Sequence, residues 1–213
     1  REPYESPGVK IIQTGNRLEF RLVNPFSENS GFNGTLPRGT ALDCGEAPIT
    51  TSSIDRIDLD FSRARFDSHA LSLDMSRARP GQILAPGATP EAAGSEIEIR
   101  ITNGPEGIRP DGLISFSGTP GRDRIEVGSF RGLVTMNFNP GKDGQHPDQD
   151  ILPGLPVDGV GLWGRNGADS FSAAPRDFET LPSWVNFKTA GENGDDELTG
   201  YSGRDIFSGD SGN

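Results

Sequence analysis

Apolar and polar residues alternate in short runs along nearly the whole chain, and each run stops after a few residues. In NRLEFRLVN, Leu18, Phe20 and Leu22 fall on one side, and Arg17, Glu19 and Arg21 on the other. This period of two predicts a half-buried strand. With VKIIQ before it and Thr14-Gly15-Asn16 between, residues 9–24 read as a β-hairpin. Residues 23–52 are rich in turn formers and poor in apolar residues, and read as a loop or cap. Further alternations place Ile57, Leu59 and Phe61 on one face, then Leu71, Leu73 and Met75, then Ile97, Ile99 and Ile101. LISF, IEV, VTMNF, VGLW, VNF and DELT follow over residues 113–199, each bounded by Gly, Pro, Asp, Asn or Ser. No segment holds a helical period between caps, and residues 77–95 read as a long loop. The chain is therefore expected to be all-β.

Composition narrows the class. With 29 Gly and 17 Pro among 213 residues, short strands between tight turns are favoured over helices. A net charge of −11 argues against nucleic acid, which needs a basic face, and suits a cation binder or a soluble extracellular protein equally well. A single cysteine, Cys44, excludes an internal disulfide and reads as a buried thiol, with an intermolecular bridge as the alternative. No stretch is long and apolar enough for a membrane-spanning helix. REPYESPG reads as the start of a mature chain after removal of a leader.

The tail carries a repeat. Gly191, Gly200 and Gly209 open successive nine-residue units, each with a second Gly at place four: Gly194, Gly203 and Gly212. Asp196 and Asp205 stand at place six, and Leu198 and Phe207 at place eight. Two more copies lie upstream. Gly164, Gly167, Asp169 and Phe171 fit the same places, as do Gly118, Gly121, Asp123 and Ile125. Glycine permits the tight turn, the turn aims carbonyls inward, and the Asp adds a carboxylate oxygen. Carbonyl and carboxylate oxygens are what Ca²⁺ prefers, and its six to eight ligands need two stacked turns. Metal binding then becomes folding energy.

These residues resemble the nonapeptide array of the RTX, or haemolysin-type calcium-binding, proteins. Upstream runs from about residue 40 resemble the solenoid that precedes such arrays in secreted bacterial proteins. The resemblance implies a right-handed parallel β-solenoid ending in a β-roll, with turns nine residues apart on opposite edges and turns eighteen apart stacked. It implies Ca²⁺ held by Gly191, Asn193 and Asp196 with Gly209 and Ser211. Gly200, Ser202 and Asp205 form a further candidate set, whose downstream partner would fall beyond Asn213. Gly164, Asn166 and Asp169 form a third. Asp123 and Asp169 are expected to be isolated turns. The expected organisation is an N-terminal hairpin and cap (1–52), an irregular solenoid (53–163) and a calcium-binding roll (164–213).

Other readings are weaker. GDSG at 209–212 resembles a serine-protease box, but His69 and His146 lie in no matching motif, and the nine-residue phase already accounts for both glycines. Neither H-E-x-x-H nor G-x-S-x-G occurs. Arg63, Arg65, Asp67, His69 and Arg77 read as a solvated strand edge. Asp143, His146, Asp148 and Asp150 read as a polar insertion. Trp163 and Trp184 read as packing residues. The expectation is a non-enzymatic, secreted or cell-surface bacterial scaffold, adhesin or fibre module. Its candidate partners are calcium, further copies of itself (open strand edges invite stacking) and surface glycans or proteins. The alternative is the calcium-binding module of a secreted carbohydrate lyase or epimerase.

Overall fold

The computed structural model describes residues 8–23, 40–42, 47–60, 70–85, 97–102, 112–140, 150–152, 157–175 and 178–212. Cys44, Phe61, Arg63, Arg65, Asp67, His69, Asp143, His146 and Asp148 lie outside them. The described residues contain strands and no helix, so none is long and apolar enough to cross a membrane.

Two sheets face each other, both mostly parallel, and neither closes into a barrel. The expected hairpin forms from β1 (Gly8–Thr14) and β2 (Arg17–Val23), with β3 (Thr40–Ala41) added at its edge. β1 then pairs in parallel with β5 (Ala70–Arg77). The first sheet continues through β7 (Leu113–Ser117), β11 (Gly159–Trp163), β13 (Asn186–Ala190) and β15 (Arg204–Ser208), all parallel. The second sheet contains β4 (Arg56–Asp60), β6 (Glu98–Thr102), β8 (Arg124–Phe130), β9 (Leu133–Phe138), β10 (Ile151–Leu152), β12 (Ser170–Ser172) and β14 (Glu197–Thr199). Successive strands alternate between the sheets from β4 to β8 and again from β10 to β15, while β8, β9 and β10 follow one another within the second sheet.

The alternating residues build the core because register aligns them. Leu73, Phe116, Leu162 and Thr189 stand in one row across the first sheet, all buried. Ile125, Phe171 and Leu198 form a row across the second. Phe116 meets Phe138 at 5.8 Å and Phe171 at 6.5 Å between ring centroids, joining the layers. Each such fully buried side chain contributes about 1.5–3 kcal/mol.

Three features differ from the sequence expectation. β8 and β9 form an antiparallel hairpin, because Arg131 and Gly132 both take positive φ (54° and 78°), which suits a two-residue turn. The stretch expected to be a loop from residue 77 begins in the core: Ile83 and Leu84 are fully buried, and Leu84 N–H donates to Gln13 Oε1 at 2.8 Å. Finally, the connection from β12 to β13 folds back over the outer face of β8. Ser129 exchanges backbone hydrogen bonds with Glu179, and Gly128 lies under Pro175 and Phe178. That excursion takes up the nine residues from 173 to 181, which hold no Gly or Asp at the repeat's key places.

Candidate metal centre

The turns after β7, β11, β13 and β15 all lie on one edge, here called the first edge. They begin at Gly118, Gly164, Gly191 and Gly209, so four of the five repeat copies stack in one column. Asn193 bridges in parallel to Asn166 on one side and to Ser211 on the other. Gly167 N–H donates to Asn193 O at 2.9 Å, and Gly194 N–H to Ser211 O at 2.8 Å. Asn193 N–H and Ser211 N–H return bonds to Arg165 O and Glu192 O. The spacing from Asn193 to Ser211 is the expected eighteen residues. From Asn166 to Asn193 it is twenty-seven, the surplus being the excursion over β8.

Asp123 and Asp169 are therefore not isolated, contrary to expectation. Asp123 N–H donates to Asp169 Oδ1 at 2.7 Å, and Asp169 N–H donates to Asp196 Oδ1 at 2.9 Å. The place-six carboxylates thus form a ladder along the edge. Asp123 and Asp169 are 0% and 1% exposed. Burial pushes the Asp169 carboxyl up to about 8, the Asp123 N–H bond opposes this, and the carboxylates of Asp123 and Asp196 add to it. Burial also raises Asp123, to about 7, against the two hydrogen bonds from Thr119.

The two glycine places have different jobs. At place one, the carboxylate of the same copy packs over the glycine: a Cβ on Gly164 would overlap Asp169 Oδ2, and one on Gly191 would overlap Asp196 Oδ2. The Gly191 carbonyl oxygen lies 2.6 Å from the same Cβ position on Gly164, so it converges with Asp169 Oδ2. At place four, Gly194 and Gly212 take φ of 140° and 156° and press against the place-four carbonyl of the preceding turn.

A cation is supported by what is left unbonded. Asp169 Oδ2 and Asp196 Oδ2 are buried and have no hydrogen-bond partner. A buried carboxylate oxygen without a partner is costly, and a hard cation between carboxylate and carbonyl oxygens removes that cost. Among the described residues no three His, Cys, Asp or Glu side chains gather at one point, so such a site depends on backbone carbonyls for most of its ligands. The donor set fits Ca²⁺ in chemical type: Asp169 and Asp196 supply carboxylate, and Gly191 supplies carbonyl oxygen.

Gly200, Ser202 and Asp205 lie elsewhere. Their turn joins β14 to β15 on the opposite edge, beside residues 182–185. Asp205 Oδ2 accepts Tyr201 N–H at 3.1 Å, while its Oδ1 is buried without a partner. A separate groove of about 200 Å³ on the outer face of the second sheet is lined by Arg124, Glu126, Ser170, Ser172, Glu197 and Thr199.

Sequence reasoning missed the residue at place two. Arg165, Glu192 and Asp210 adopt φ of 80°, 67° and 50°, a region that a non-glycine residue seldom enters. No family model, curated protein or solved structure matches the chain.

Proposed function

We propose that the chain is a calcium-binding β-solenoid of the RTX kind, non-enzymatic, acting as a secreted or cell-surface scaffold. The strand path that alternates between two mostly parallel sheets supports the solenoid. The buried, partnerless Asp169 Oδ2 and Asp196 Oδ2, set in stacked turns where the Gly191 carbonyl converges with Asp169, carry the calcium reading. In the absence of cation these carboxylates repel one another along the ladder. Ca²⁺ neutralises them and ties successive turns together, so binding adds to folding stability. The test is thermal melting in Ca²⁺ against chelator. A melting point raised by Ca²⁺ and restored by chelator is expected, and identical curves would remove the calcium reading while leaving the fold untouched.

A further inference from the structure

The five copies share a sequence pattern but not a conformation. In the copies at 164, 191 and 209, the place-two residue is left-handed: Arg165, Glu192 and Asp210. In the copies at 118 and 200, neither Thr119 nor Tyr201 takes positive φ. This difference coincides with the fate of the place-six carboxylate. Thr119 N–H donates to Asp123 Oδ2 at 2.7 Å, and Tyr201 N–H to Asp205 Oδ2 at 3.1 Å. In the two left-handed copies that contain a place-six Asp, the corresponding Oδ2 atoms, on Asp169 and Asp196, have no partner.

The side chains at place two complete the contrast. Thr119 Oγ1 donates to Asp123 Oδ1 at 2.7 Å, so both oxygens of that carboxylate are satisfied within the turn. The Tyr201 hydroxyl donates to Val185 O and also lies 3.3 Å from Pro182 O. Its ring fills the space beside Gly203 that a Cβ would occupy. On the first edge, Gly194 N–H crosses to the next turn. On the opposite edge, Val185 N–H stays within its own turn and bonds Pro182 O at 2.9 Å. The Tyr201 phenol therefore makes the bridge between turns there.

We propose that the place-two backbone decides which copies accept a cation. A left-handed residue turns its N–H away from the carboxylate and leaves Oδ2 open, as beside Asp169 and Asp196. A place-two residue in ordinary conformation caps the Oδ2 of its own Asp, as Thr119 and Tyr201 do, and those copies bind none, even though Asp205 Oδ1 is left without a partner. The inference rests on the calcium reading but adds a determinant that the repeat pattern alone does not contain.

Two comparisons by calcium titration calorimetry test it on the full chain. Glu192→Gly and Glu192→Thr both delete the same carboxylate, but only glycine tolerates positive φ at no cost, whereas a β-branched residue resists it. Glu192→Gly should keep wild-type affinity at the Asp196 position, and Glu192→Thr should lose at least tenfold. Asp196→Asn should likewise weaken binding at least tenfold, while Asp205→Asn leaves number and affinity unchanged. Equal affinity in the two Glu192 variants, or loss of an equivalent in Asp205→Asn, would overturn the inference while the wild type still binds. A wild type that takes up no Ca²⁺ would instead defeat the calcium reading, and the inference with it.

Discussion

Gly194→Ala should cost the array most of its order, and Gly209→Ala almost none. Gly194 has φ of 140°, and a Cβ there would overlap the Gly167 carbonyl oxygen of the neighbouring turn. Holding alanine in that region costs about 1–3 kcal/mol. Relieving the overlap pushes two turns apart and strains the bonds Gly167 N–H to Asn193 O and Gly194 N–H to Ser211 O, at about 1 kcal/mol each. The sum is about 3–5 kcal/mol. Gly209 shares the motif, yet a Cβ there meets nothing within 4 Å and its φ is not positive. Its substitution should stay within about 0.5 kcal/mol. Because each crossing touches mainly its neighbours, the damage should be local. Hydrogen exchange reads it residue by residue. Protection at the Gly194 and Ser211 amides should fall by about two to three orders of magnitude in Gly194→Ala, with the amides of β5 and β7 unaffected. Equal protection in the two variants would refute the assignment of the place-four glycine to stacking.

Without calcium, stability should fall as pH rises, the reverse of ordinary acid denaturation. Asp169 and Asp123 titrate near 8 and 7 in the fold against 3.8 when unfolded, so the folded state holds more protons between about pH 4 and 8. Stability is then greatest near the low end of that window and declines until both carboxyls are ionised. Melting points at pH 5 and pH 8 in chelator check the sign, and Ca²⁺ should restore stability chiefly at pH 8. Asp169→Asn removes the buried charge and offers an amide toward the Gly191 carbonyl. At pH 8 in chelator it should be more stable than wild type by about 1 kcal/mol, with a smaller response to Ca²⁺, measured by urea denaturation. Phe116→Ala, which empties the contact shared by Phe138 and Phe171, should cost about 3–5 kcal/mol in either condition and leave the calcium response intact.

Much of the fold was legible because the core is built from period-two runs whose apolar members, such as Leu73, Phe116 and Leu162, need only alignment to form a layer. The nine-residue phase located Gly191, Asp196, Gly209 and Ser211, and the stacked turn followed from it. Stacking at constant spacing did not hold upstream, because the segment around Glu179 leaves the column and lies on β8. Asp169 therefore reaches Asp196 across twenty-seven residues rather than eighteen. Nor did the motif reveal that Gly200 and Gly191 open turns of different conformation. The signal was present at place two, where Thr119 and Tyr201 carry hydroxyl donors and Arg165, Glu192 and Asp210 do not. Ile83 and Leu84 were hidden by the Pro and Gly around them, which mark a turn but not its burial.

Long-wavelength anomalous diffraction from crystals of the calcium-loaded protein would locate the cation itself. Peaks are expected on the first edge between the turns beginning at Gly164, Gly191 and Gly209, in bonding contact with Asp169 Oδ2 or Asp196 Oδ2, and none beside Asp123 or Asp205. Anomalous density confined to surface carboxylates, with Asp169 Oδ2 still unbonded, would contradict it.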